Sequence, residues 1–69
     1  MGQVVVRSWM SGDGYEYEGK IYPLGTESIN ELRELVTNDT EFVAGRNTFT
    51  GEFVSEKFVA QMRERLLNG

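Results

Sequence analysis

The stretch QVVVRSWMSGDGYEYEGKIY, residues 3–22, decides the fold of this chain. Its first eight residues contain three consecutive valines and a tryptophan, which are side chains that favour a β-strand. The Ser-Gly-Asp-Gly sequence at 11–14 has the composition of a tight turn, since glycine reaches positive φ angles without steric cost. The last eight residues alternate between two faces, one with Tyr15, Tyr17 and Ile21 and the other with Glu16, Glu18, Lys20 and Tyr22. The sequence therefore predicts an N-terminal β-hairpin.

The first predicted helix follows the only proline of the chain, Pro23, which together with Gly25 marks the end of the β half. Ser28 and Glu31 have the spacing of a capping box, in which each side chain bonds the backbone of the other residue. Apolar residues at helical spacing come next. They predict a helix from about Ile29 to Thr37.

The last predicted helix carries a long apolar stripe that runs from Phe53 to Leu67. Its start stays open between Gly51 and Ser55, because Ser55 is a good N-cap residue but the stripe continues backwards past it. Residues 41–44, between the helices, are short and apolar in the middle, so a third strand and an extended loop both stay open. Residues 45–48 have the composition of a turn.

These elements predict one α+β domain over residues 1–69, in the order β-β-α-(β)-α. A small antiparallel sheet, formed by the hairpin and the open third strand, packs on two helices, because none of these elements buries its apolar face alone. The predicted core joins the last helix to the hairpin and the first helix. Its members are Phe58, Met62, Leu66, Val4, Val6, Tyr17, Ile21, Leu32 and Val36.

The composition excludes the commonest catalytic side chains, because the 69 residues contain no histidine and no cysteine. These two residue types perform most metal binding, nucleophilic attack and proton transfer near neutral pH. A domain this small also has little room for the substrate cleft that catalysis by paired carboxylates needs. We therefore expect a protein that is not an enzyme, with no catalytic residue, no metal site and no cofactor.

The negative charge is concentrated on the first helix and the segment after it. Residues 26–44 hold five acids and one arginine, so the charge of this segment is −4, the same as the formal net charge of the whole chain. Glu27, Glu31 and Glu34 follow the i, i+4, i+7 spacing and form a row of carboxylates about 10 Å long. Such a row can occupy a basic groove on another protein, and it is also what an ordinary solvated helix face looks like.

A second acidic group lies on the hairpin, where Asp13, Glu16 and Glu18 are interleaved with tyrosines that include Tyr15. Tyrosine beside carboxylates is typical of binding surfaces, because tyrosine offers a large contact area at low entropy cost. Alternatively, the tyrosines face the core and the acids only solubilise the outer strand face. The predicted partner-binding residues are these four together with the row on the helix.

A different class of function rests on the C-terminal third, which is the only part with a positive balance. Arg46, Asn47, Lys57 and Arg63 would then contact nucleic acid in a small, dimeric DNA- or RNA-binding or transcription-regulating domain. The net charge of −4 opposes this interpretation, since nonspecific attraction to phosphates needs positive charge. A third hypothesis is a structural subunit that oligomerises through the last helix, with Phe58, Met62 and Leu66 at the interface.

The favoured interpretation is a non-enzymatic protein-binding module, such as a small inhibitor or regulator, whose acidic surface engages a basic site on a partner that handles nucleic acid. A homodimer stays open, because a core of this size supplies only about 3–5 kcal/mol. The longest apolar run has three residues, so we expect no membrane partner and a cytoplasmic location. In size and composition the chain is similar to small phage- or plasmid-encoded proteins that block a host factor, although no motif supports this analogy.

Overall fold

Residues 2–69 are described by a computed structural model, which shows a four-stranded mixed sheet and two helices. The elements in chain order are β1 (Gln3–Trp9), β2 (Gly12–Tyr17), β3 (Lys20–Pro23), α1 (Thr26–Leu35), β4 (Glu41–Asn47) and α2 (Glu56–Asn68). The predicted α+β class is confirmed. The predicted antiparallel sheet is wrong, because β4 pairs with β1 in parallel. The order of the elements is β-β-β-α-β-α. This is one strand more than the prediction, which had the two strands of the hairpin and an optional third strand.

The second half of the predicted hairpin is two strands, because the chain reverses at Glu18 and Gly19. Both residues have positive φ angles, 50° and 80°, as the central residues of a type I′ hairpin turn require. The turn places Tyr22 opposite Tyr15 and Ile21 opposite Glu16. The predicted assignment of Ile21 and Tyr22 to their faces is therefore wrong, since the turn exchanges the two faces.

The C-terminal ends of three strands, β1, β3 and β4, lie at the same end of the sheet. The strand order is β3-β2-β1-β4, in which β2 is antiparallel to both β1 and β3. It follows that β3 runs in the same direction as β1 and β4. Parallel strands need a crossover connection, and α1 provides the one between β3 and β4.

The start of α1 differs from the predicted capping box. The N-cap residue is Gly25, which makes no side-chain cap bond, and Ser28 lies within the first turn of the helix. The backbone N–H of Gly25 donates to the carbonyl of Pro23 at 2.8 Å, so the turn after β3 closes early and the helix begins at Thr26. In α2, by contrast, the choice left open is settled, because the Ser55 hydroxyl accepts from the N–H of Phe58 at 3.1 Å.

The core lies between one face of the sheet and the two helices. Its buried members are Val4, Val6, Tyr15, Tyr22, Leu32, Val36, Met62 and Leu66. Of the predicted members, Phe58 and Tyr17 are only partly buried, and Ile21 is wrong, since it is 53 % exposed. Tyr15 and Tyr22, which were not in the predicted core, are both buried there, and the Tyr15 hydroxyl donates to the carbonyl of Met62 at 2.7 Å.

Strand β4 includes residues 45–47 of the turn predicted at 45–48, and Gly45 is buried within the strand. A β-carbon at Gly45 would collide with Val5 Cγ1 and would lie 2.6 Å from Arg7 Cγ and 3.0 Å from the Val6 carbonyl oxygen. Glycine is thus required here by close approach of β1 rather than by a turn.

Replacing Gly45 with alanine is expected to lower the free energy of unfolding by about 1–3 kcal/mol, the usual effect of forcing a methyl group into a packed site. Urea denaturation measures this change. Gly25→Ala is the control, because a β-carbon at Gly25 would have no other atom within 4 Å. Its expected loss is about 0.5–1 kcal/mol, since Gly25 is the N-cap of α1 and an N-cap prefers glycine to alanine. Equal stability losses in the two variants would contradict the packing role of Gly45.

Candidate functional site

One face of the sheet has no helix packed against it within residues 2–69. Its side chains alternate with those of the core and include Val5, Arg7, Trp9, Glu16 and Ile21. Arg7 Nη1 lies 2.9 Å from Glu16 Oε1, and the Arg7 guanidinium lies 6.0 Å from the centroid of the Trp9 ring. The ring lies beside Gly14, where a β-carbon would be 3.0 Å from Trp9 Cζ3. This open face is a mixed surface with an ion pair at its centre.

Large apolar side chains are exposed at the end of the sheet where the C-terminal ends of β1 and β4 lie. Met10 is 83 % exposed, Phe49 is 72 % exposed and Phe53 is 63 % exposed. The N–H of Thr48 donates to the carbonyl of Ser8 at 2.9 Å and joins the loop after β4 to the end of β1. We call Met10, Phe49 and Phe53 the apolar end.

The loop that holds the two phenylalanines has a defined structure. The side-chain oxygen of Asn47 accepts from the N–H groups of Phe49 at 2.8 Å and Thr50 at 3.1 Å. Phe53 forms an antiparallel bridge with Arg46, whose guanidinium lies 4.8 Å from the centroid of the phenylalanine ring. The apolar end was not predicted, although Phe49 and Phe53 within an otherwise polar segment of the sequence were a signal for it.

The acidic row of Glu27, Glu31 and Glu34 lies on α1, and all three side chains are exposed. Glu31 Oε1 accepts from Lys20 Nζ at 2.7 Å, and this hydrogen bond raises the pKa of Lys20. The pair is exposed and so contributes little to stability. Because α1 begins three residues after β3 ends, Glu27 lies at the same end of the sheet as the apolar end, but on the side of β3, which is the edge strand opposite β4.

The predicted binding group on the hairpin is not brought together. Tyr15 is fully buried, so its assignment as a partner contact is wrong, because it faces the core. Asp13 accepts from the Ser8 hydroxyl at 2.6 Å, whereas Glu16 lies on the open face with Arg7. Glu18 is exposed in the turn after β2.

The four residues predicted to contact nucleic acid also do not form one patch. Arg46 donates to the carbonyl of Gly51 at 2.8 Å, and Asn47 uses its side-chain oxygen within the loop. Lys57 lies beside Gln61 and Glu64 on α2. Arg63 lies on another side of that helix, where its guanidinium is 5.9 Å from the centroid of the Phe42 ring.

The cleft between α1 and the end of α2 has a volume of about 370 Å³ and is lined partly by Arg33 and Arg65. Arg33 Nε donates to the carbonyl of Leu66 at 2.7 Å, so this guanidinium links α1 to α2.

The described part of the chain holds no group of three or more residues of the types His, Cys, Asp and Glu that is suited to a metal ion. Met62 and Leu66, which the oligomer hypothesis placed at an interface, are buried in the core.

Comparison with protein-family models, with curated proteins and with solved structures finds no match to this chain. Over residues 2–69, no helix has both the length and the apolar character needed to cross a membrane. The surface of the molecule is therefore the basis for a functional proposal.

Proposed function

We propose that this chain is a protein-binding module that catalyses no reaction and uses no cofactor. The observation that supports the proposal is the apolar end, where three large apolar side chains are more than 60 % exposed. Exposed apolar side chains at one end of a sheet make that end a candidate interaction site, whereas a single exposed apolar residue is ordinary.

The acidic row determines the kind of partner that we propose. It starts at the same end of the sheet as the apolar end, but across the width of the sheet, since β3 and β4 lie about 14 Å apart. Glu27 and Glu34 have no ion-pair partner within residues 2–69. A protein surface that carries a basic site and, roughly the width of the sheet away, an apolar patch complements both features. A basic site that normally binds nucleic-acid phosphates has this character, so the module would act in the cytoplasm as an inhibitor or regulator that occupies such a site.

Reversing the charge of the row is expected to slow association with the partner at least tenfold at low salt, because charge complementarity acts mainly on the association rate. The partner is captured from the source organism with the immobilised chain, purified, and measured by surface plasmon resonance against the variant Glu31→Lys/Glu34→Lys. The control is Asp39→Lys/Glu64→Lys, because both side chains are exposed and lie outside the apolar end and the acidic row. Both double variants bring the formal net charge from −4 to zero. Equal association rates for the two variants would remove the row from the contact.

The apolar end has its own variant in the same experiment. Phe49→Ala is expected to speed dissociation by about thirtyfold, the effect of truncating an interface residue worth about 2 kcal/mol. Leu35→Ala is the control, because Leu35 is 51 % exposed but lies on α1 outside the apolar end.

A gel shift at low salt tests the other class of function. Retardation of DNA or RNA by the chain would favour the nucleic-acid hypothesis over the proposed protein-binding function.

A further inference from the structure

Strand β4 is an edge strand, and part of its outer edge has unpaired backbone groups. The N–H of Glu41 donates to the carbonyl of Gly2 at 3.3 Å. In a parallel pair the residues that bond the neighbouring strand alternate, so Glu41 and Val43 face β1. The N–H and C=O groups of Phe42 and Ala44 therefore point out of the sheet. Within residues 2–69, only β1 and the segment 52–54 pair with β4.

The segment 52–54 shows that this edge accepts an antiparallel strand. The N–H of Asn47 donates to the carbonyl of Glu52 at 2.7 Å, and the N–H of Val54 donates to the carbonyl of Gly45 at 2.9 Å. The chain then leaves the edge to enter α2 at Glu56. The outer edge is thus occupied beside residues 45–47 and free beside residues 42–44.

Helix α2 forms the wall of a groove along this free edge. The groove has a volume of about 400 Å³, and its lining residues are Phe42, Val43, Ala44, Glu56, Val59, Ala60 and Arg63. The Arg63 guanidinium lies near the Phe42 ring and has no ion-pair partner within the described residues. Glu56 follows shortly after Val54 and therefore lies towards Gly45. The groove is apolar in the middle, with a positive group at one end and a negative group at the other.

We infer that this groove binds an extended segment of a partner protein, which adds to the sheet as a strand antiparallel to β4. The exposed N–H and C=O groups require a strand as their complement, since main-chain hydrogen bonds supply the affinity in this mode of recognition. An antiparallel segment runs from the Ala44 end towards the Phe42 end. Charge complementarity then selects a segment with a basic residue at its N-terminal side, near Glu56, and an acidic residue at its C-terminal side, near Arg63.

The probe is a blocked seven-residue peptide that begins with lysine, alternates valine and threonine, and ends with glutamate. At saturating peptide, amide hydrogen exchange followed by NMR is expected to slow at least tenfold at Phe42 and Ala44. Exchange at Glu41 and Val43 is expected to stay unchanged, because their N–H groups already face β1. Absence of saturable binding, or equal protection of all four amides, would overturn the inference.

Two variants test the geometry and the charge separately. Ala44→Pro removes one outward N–H and leaves the pairing with β1 in place, since proline is tolerated where an edge N–H faces solvent, and it is expected to weaken peptide binding at least tenfold. Arg63→Glu is expected to weaken binding of this peptide and to strengthen binding of the peptide with the two charges exchanged. If neither variant changes the affinity, the groove is not the site.

A second copy of the chain is the competing occupant. Concentration-dependent dimers in light scattering, together with slow exchange at Phe42 and Ala44 without peptide, would overturn the inference in favour of self-association. The groove includes no residue of the apolar end or of the acidic row. Failure of the peptide to bind in the groove and failure of the proposed function are therefore separate outcomes.

Discussion

Replacing Leu66 with alanine is expected to lower the free energy of unfolding by about 2–5 kcal/mol. Leu66 is fully buried and belongs to the core between α2 and the sheet. A chain of 69 residues has a total stability of about 3–10 kcal/mol, so this one substitution removes a large part of it. Urea denaturation followed by circular dichroism measures the change.

The control for this variant is Leu35→Ala, which deletes the same atoms from a side chain that is 51 % exposed. Its expected effect is within about 0.5 kcal/mol, the usual range for surface substitutions. The hydrogen bond from Arg33 to Leu66 uses the backbone carbonyl and persists in the Leu66 variant. A loss below about 1 kcal/mol for Leu66→Ala would contradict its place in the core.

Local patterns in the sequence were sufficient for the parts of the fold that depend on neighbouring residues. The spacing of the apolar residues predicted both helices, and the structure confirms that Leu32, Met62 and Leu66 form their buried faces. The predicted bounds of the first helix, about Ile29 to Thr37, are wrong, because α1 spans Thr26–Leu35 and Val36 is its extended C-cap residue. Ser55 was a candidate cap because its side chain acts on residues one turn away. Such effects extend over three or four residues and are therefore visible in the sequence.

Features that depend on long-range pairing were not predictable in the same way. Parallel pairing of β4 with β1 joins residues almost forty positions apart, and only that pairing explains why Gly45 is a glycine. The turn at Glu18 was missed because glutamate rarely adopts positive φ angles, and this one turn exchanged the faces of Ile21 and Tyr22.

The candidate surface was the least predictable feature. The three glutamates of the acidic row were identified, because helical spacing alone places them together. Phe53 was predicted to lie in the apolar stripe of the last helix, because its spacing from the other apolar residues fits a helix. Its exposure depends on the fold and not on the residue type, and so was not predictable from the sequence. Its partner Arg46 lies on an adjacent strand segment rather than one helical turn away. Spacing along the chain thus gave no information on the apolar end.

The stability of the protein is expected to fall by about 2–3 kcal/mol as the pH rises from 10 to 12, because of Tyr15. Burial raises the pKa of Tyr15 from 10.0 to about 12, against the opposing effect of the positive charges of Arg65 and Arg33. The folded state keeps the proton in this pH range, whereas the unfolded chain releases it. The stabilisation is therefore complete below pH 10 and is lost as the pH rises through 12.

Tyr15→Phe separates this contribution from all other groups that titrate at high pH. Below pH 10 the variant is expected to be about 1–2 kcal/mol less stable than the native chain, because the carbonyl of Met62 loses the hydroxyl that donates to it. Between pH 10 and 12 the difference is expected to close and then to reverse, since phenylalanine has no proton to release. Urea denaturation of both proteins across this range gives the difference at each pH. A difference that stays constant up to pH 12 would show that the Tyr15 hydroxyl is not buried in the folded state.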